Sequence, residues 1–152
     1  MKTHIIYFDG LWSNYIHPSL LAPLSKKHSF ESIGFSWQSS EVRRAHEVDI
    51  KGARLFVVGH SFGGKAALQF CQQREHEVAG LVLLDPRDFP FGFPVFTSFN
   101  VPKSVKEAVN FYQTFPLRGY QVGGADNVRV AAGHTAVPSR PEVFYWLNAR
   151  LG

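Results

Sequence analysis

Apolar residues in this chain fall into short runs, separated by stretches where they recur at helical spacing. Residues 3–8 end on Tyr7-Phe8, residues 30–35 run from Phe30 to Phe35, and residues 55–58 read Leu55-Phe56-Val57-Val58. Residues 78–84 end on Leu81-Val82-Leu83-Leu84. That run is apolar on both faces, as a parallel strand covered on both sides requires. Weaker strand candidates lie at about residues 118–122 and 127–131. Between the strands the spacing predicts helices at about residues 18–27 and 40–50, the second with Val42, Ala45 and Val48 along one face. Ser104-Val105-Lys106-Glu107 has the form of a capping box and predicts a helix carrying Ala108, Val109, Phe111 and Tyr112. Ser139-Arg140-Pro141-Glu142 predicts a last helix whose inward face is Val143, Phe144, Leu147 and Leu151. Strands alternating with helices imply one α/β domain over residues 1–152, with a mostly parallel sheet of about six strands flanked by helices.

The third strand runs directly into Gly59-His60-Ser61-Phe62-Gly63-Gly64, and the helix formers Lys65-Ala66-Ala67-Leu68-Gln69-Phe70 follow. This is G-x-S-x-G in the strand–turn–helix context that gives the motif its chemistry. The glycines let the backbone fold sharply and leave the hydroxyl open to a substrate. Ser61 then stands at a helix N-terminus, where free N–H groups favour developing negative charge.

A serine hydroxyl is a weak nucleophile until a base takes its proton, and the base needs an orienting acid. In an elbow arrangement these follow in the order Ser, Asp or Glu, His. Beyond Ser61 the histidines are His76 and His134. His76 sits in the charged segment Gln72-Gln73-Arg74-Glu75-His76-Glu77 and reads as a solvated helix end. His134 lies between the last strand and the last helix, on the same sheet edge as Ser61, and is the expected base. Asp85 is the first choice for the acid because it closes a buried strand, with Asp126 and Asp88 as alternatives. The oxyanion donors are expected to be the N–H of Phe62 and that of Leu11, with Trp12 as the alternative to Leu11. Asp9 could fasten that first loop by hydrogen bonds.

Composition bounds the rest. Apolar content of 45% with 18% charged residues is that of a globular protein. No run approaches the ~20 apolar residues of a membrane span, the first residues carry no cleavable leader pattern, and a cytoplasmic protein is expected. The single cysteine, Cys71, lies in the helix after the elbow and reads as core filler. The net charge is +4, but the pairs Lys26-Lys27 and Arg43-Arg44 are too sparse for a nucleic-acid site. No Cys/His cluster has zinc spacing and no phosphate loop is present, so no metal or organic cofactor is expected. Residues 86–102 hold Phe89, Phe91, Phe93, Phe96 and Phe99 among Pro90, Pro94 and Pro102. Such a segment either lines an acyl pocket or packs onto the core, and its Phe89, Phe91 and Phe93, with Trp12 from the loop after the first strand, are the candidate substrate contacts.

With these residues the chain resembles the α/β-hydrolase superfamily over most of its length. Gly-His-Ser-x-Gly-Gly is similar to the elbow of lipase-like and esterase-like members. Leu84-Asp85-Pro86 resembles the acid position of the pancreatic-lipase type, one strand earlier than in most of the superfamily, and supports Asp85. Members usually have about eight strands and a cap, so about six strands make this a minimal, lidless form. The resemblance implies a serine hydrolase acting on a small-molecule acyl ester through Ser61, Asp85 and His134. A thioesterase or amidase would use the same residues. A binding protein that keeps the triad as a relic is the non-enzymatic alternative.

Overall fold

The computed structural model describes residues 1–11, 14–88, 99–113 and 119–152. The strands are β1 (Thr3–Asp9), β2 (Glu31–Ser36), β3 (Arg54–His60), β4 (Gly80–Leu84), β5 (Phe99–Asn100), β6 (Ala108–Tyr112), β7 (Val122–Gly123) and β8 (Asp126–Arg129). The helices are α1 (Ala22–Ser25), α2 (Ser39–Ala45), α3 (Phe62–Gln72) and α4 (Pro141–Leu151), with a π-helical turn at His17–Leu21 leading into α1. Six strands form one sheet in the order β2-β1-β3-β4-β6-β8, every pair parallel, while β5 and β7 make a separate short pair. The expected six-stranded α/β architecture is therefore present. No described helix is long and apolar enough to cross a membrane.

Alternate residues of the central strands feed two apolar layers, as a period of two dictates. Ile6, Phe8, Val57 and Leu83 face α2 and α3, while Ile5, Val58, Val82 and Leu84 face the π turn, α1 and α4. β4 is buried along its whole length, the consequence of helices on both sides. The last helix presents Val143 and Leu147 to the core, with Phe144 and Leu151 partly buried beside them, as its spacing predicts. Its start differs in detail. Arg140 is the N-cap residue and makes no side-chain capping hydrogen bond, and Ser139 instead donates to the Ala136 carbonyl at 2.9 Å.

One element is corrected. The expected helix through Ala108, Val109, Phe111 and Tyr112 is the parallel strand β6, paired with β4 on one side and β8 on the other. Ser104 caps nothing there: its hydroxyl donates to the Cys71 carbonyl at 2.6 Å, and Glu107 is held by Arg150 at 2.5 Å. Short apolar runs carry no decisive period. Asn110 broke the run further, because this buried polar residue looks like a helix surface position. Its amide Nδ2 is bonded sideways instead, donating to the Tyr120 carbonyl at 2.8 Å and to Asn127 Oδ1 at 2.9 Å. The weaker strand candidates come out as the two-residue β7 and as β8, and residue 118 of the first lies outside the described residues.

Chain order sets where a ligand can sit. β1 is followed outward by β2, and the chain then crosses to β3 on the other side of β1. Strand order thus reverses between β1 and β3, and the crevice at their carboxyl ends is the binding position in sheets of this kind.

Candidate active site

Gly10 and Leu11 leave β1 at that crevice, and Ser61 leaves β3. Ser61 has φ 59° and ψ −124°, a region that L residues rarely occupy, at a cost of about 1–3 kcal/mol. Close packing over-determines the turn. A Cβ on Gly63 would lie 1.9 Å from the Phe8 carbonyl oxygen, and one on Gly64 would lie 2.6 Å from Pro86 Cβ. The first turn of α3 can therefore rest directly on β1 and on the β4 loop only because both positions are glycine. The turn is tied down by Ser61 N–H to the Leu84 carbonyl at 3.1 Å and by Arg87 N–H to the Ser61 carbonyl at 2.9 Å.

Gly10 faces Ser61 itself. A Cβ there would sit 2.8 Å from Ser61 Cβ and 3.2 Å from Ser61 Oγ. Gly10→Ala is expected to lower kcat/KM more than tenfold while destabilising by no more than about 3 kcal/mol, the range for a single overpacked methyl. Steady-state kinetics beside urea denaturation checks this. An activity loss no larger than the folded fraction explains would contradict it. Asp9 secures the same loop, accepting the N–H groups of Tyr15 at 3.3 Å and Ile16 at 3.5 Å. Burial pushes its carboxyl up, and these two hydrogen bonds oppose the shift.

Asp85 follows β4 in the left-handed region at φ 47°, which Asp tolerates better than most residues. Its carboxylate is fully buried. Oδ2 accepts His134 Nδ1 at 2.5 Å, Arg87 Nη2 at 2.9 Å and Gln113 Nε2 at 2.9 Å, and Oδ1 accepts the Gln113 N–H at 3.3 Å. Burial alone would raise this carboxyl. The His134 hydrogen bond and the Arg87 charge outweigh it and hold the group below its usual range. A carboxylate on Nδ1 fixes the Nδ1–H tautomer of His134 and leaves the Nε2 lone pair free to take a proton. The alternative acids are placed elsewhere: Asp88 pairs with Lys65, and Asp126 is exposed at the start of β8.

His134 is fastened to the elbow through His60. The His60 ring stacks on it at 4.8 Å between centroids, and His60 Nε2 donates to the His134 carbonyl at 2.9 Å. Tyr15 packs edge-on against His60 at 5.6 Å. Among the described residues Ser61 Oγ makes no hydrogen bond to the His134 ring; nucleophile–base contacts are commonly loose before substrate binds. Burial pushes the His60 imidazole from 6.5 to about 4, against the opposing pull of its bond to His134. The unfolded chain takes up this proton near pH 6.5 and the folded chain near pH 4. The stability it confers is whole above pH 6.5 and is lost as pH falls towards 4, to an extent of roughly 3 kcal/mol. The urea midpoint should drop across that window in the wild type and drop less in His60→Asn. Equal slopes would place the acid sensitivity on another group.

The remaining expected site residues divide cleanly. Phe62 opens α3 and Leu11 is exposed beside Gly10, so both stand next to Ser61 in space. Trp12, Phe89, Phe91 and Phe93 lie outside the described residues. His76 is exposed, and Cys71 is buried with its thiol pushed up to about 12 by that burial. Sequence reasoning missed Arg87, Gln113, Trp37 and the role of His60. Gln113 had a usable signal: read as a strand, β6 puts it at a carboxyl end, where functional groups gather. A concavity of about 890 Å³ is lined by Ile50, Arg54, Gln73 and Lys106 at the amino ends of the strands, away from all of these groups.

The sequence profile of the Alpha/beta hydrolase family matches residues 12–150. No curated protein sequence matches the chain. Among solved structures, the chain is similar to one described as a YdeN-like hydrolase from Pectobacterium atrosepticum, at 19% identity and a TM-score of 0.67, covering 97% of this chain and 90% of that one. It is also similar to one described as a hydrolase of the alpha/beta superfamily from Xanthomonas campestris, at 16% identity and a TM-score of 0.65, covering 97% of this chain and 99% of that one. At such identities the likeness concerns the fold.

Proposed function

We propose that this chain, which belongs to the Alpha/beta hydrolase family, is a serine hydrolase that cleaves a carboxylic ester through an acyl-Ser61 intermediate. The observation that carries this reading is the hydrogen bond from His134 Nδ1 to the buried Asp85, on the sheet edge where Ser61 is held in a strained turn. Ser61 Oγ attacks the ester carbonyl while His134 Nε2 takes its proton. The carbonyl oxygen becomes an oxyanion, received by the N–H groups of Phe62 and Leu11. When the C–O bond to the alcohol breaks, His134 gives its proton to the departing oxygen. Water then attacks the acyl-Ser61 carbonyl, again with His134 as base, and the acid leaves as Ser61 recovers its proton. Asp85 stays ionised throughout and stabilises the imidazolium, as its depressed pKa allows. Trp12, Phe89, Phe91 and Phe93 remain the proposed substrate contacts.

Hydrolysis of p-nitrophenyl esters from acetate to palmitate, with Ser61→Ala as control, tests the reading. Serine-dependent turnover on any of them supports it. If thioesters or amides are cleaved and esters are not, the bond type is wrong and the residues are right.

A further inference from the structure

The two faces of the sheet separate what lies on either side of Ser61. His60 shares its face of β3 with Val58, which packs in the layer beneath α1 and α4. His134, stacked on His60, therefore approaches the serine from that side. On the opposite side, above α3, lies a cavity of about 370 Å³ walled by Leu11, Trp37, Phe62 and Ala66. It begins one residue from the nucleophile, at Phe62, and one residue from Gly10, at Leu11. The Trp37 and Phe62 rings meet at 5.2 Å between centroids. At the rim Lys65 is paired with Asp88, so the two charges offset each other.

We propose that this cavity is the acyl pocket of the ester hydrolase inferred above, that it takes an uncharged apolar acyl group of aromatic or medium-chain size, and that Trp37 sets its depth. The assignment rests on that reading, because the proton path orients the substrate. The departing alcohol must lie within reach of His134 to receive its proton. The acyl chain, bonded to the same tetrahedral carbon, then projects to the other side, which is where the cavity opens. Apolar walls with a paired-off rim favour an uncharged group, since an unpaired charge would lose its hydration there. The volume lies near the lower end of small-molecule sites and is about 2.5 times the ~150 Å³ that hold a benzene ring. That suits a phenylacetyl or octanoyl group better than a palmitoyl chain.

Two substitutions of opposite sign test it. Trp37→Ala deepens the cavity and should shift the p-nitrophenyl ester optimum to longer chains. It should also lower kcat/KM for the phenylacetate at least tenfold, the effect of lost apolar contact in a specificity pocket. Gln69→Phe, at an exposed position on the same rim, should shift the optimum to shorter chains, and it keeps the test available if Trp37→Ala folds poorly. Both variants should leave the ranking of acetate esters with different alcohols unchanged. A changed alcohol ranking with an unchanged acyl profile would make the cavity a leaving-group site and overturn the proposal. Unchanged acyl and alcohol profiles in both variants would also overturn it, with the hydrolase reading intact. Absence of any Ser61-dependent turnover, together with no labelling of Ser61 by a fluorophosphonate, would overturn both.

Discussion

Ser61→Ala is expected to remove ester turnover by about a millionfold, the scale of losing the nucleophile from a serine triad, while the protein stays folded. The fold should survive for a local reason. The His134–Asp85 hydrogen bond does not involve the hydroxyl, so its removal leaves that buried pair intact. The turn is held by backbone contacts, Ser61 N–H to Leu84 and Arg87 N–H to the Ser61 carbonyl, and alanine keeps both. Alanine at φ 59° carries the same backbone strain as serine, so the strain cancels between the two proteins. Thermal unfolding should shift by no more than about 3 °C, as for a change of about 0.5 kcal/mol. Kinetics with each ester beside a melting curve checks both halves of the expectation. Turnover near the wild-type rate would place the chemistry on another group.

Asp85→Asn is expected to lower kcat by about ten-thousand-fold. An asparagine amide beside His134 Nδ1 can donate to that nitrogen, which moves the ring proton to Nε2 and removes the base facing Ser61. Asparagine accepts the left-handed backbone at this position as readily as aspartate does, so the turn itself is not strained. The structural cost lies elsewhere. Arg87 is 5% exposed and pairs with this carboxylate, and breaking a buried ion pair costs about 3–5 kcal/mol. Asp85→Asn combined with Arg87→Gln should therefore recover stability and leave kcat low. Asp126→Asn, at an exposed position, should change neither. Denaturation curves and single-turnover kinetics on the three proteins separate these effects. A greater kcat loss for Asp126→Asn would move the acid to Asp126.

Most of the sheet was legible because β1, β3 and β4 are continuous apolar runs, and burial on both faces writes itself directly into sequence. The elbow was legible for a different reason. Gly63 and Gly64 are where α3 meets β1 and Pro86 without room for a Cβ, and that steric need appears as letters in the chain. β6 was not legible, because Asn110 interrupts its apolar run and the Ser104–Glu107 spacing imitates a cap. The misreading hid Gln113, whose side chain reaches Asp85 across the β4–β6 pair. Trp37 was hidden in the same sense. Its place in the cavity depends on β2 lying beside β1 and on α3 crossing above them, neither of which is local. Asp85 could be ranked above Asp88 and Asp126 from its strand-end position, but the geometric distinction among them is the contact with His134, 49 residues away.

Intact-protein mass spectrometry after brief exposure to a fluorophosphonate tests the central claim, that Ser61 is an activated nucleophile, most directly. The account predicts one adduct per chain, located on the peptide containing Ser61, absent from Ser61→Ala and formed far more slowly in Asp85→Asn. A folded wild-type protein that forms no adduct, or one labelled equally in Ser61→Ala, would contradict it.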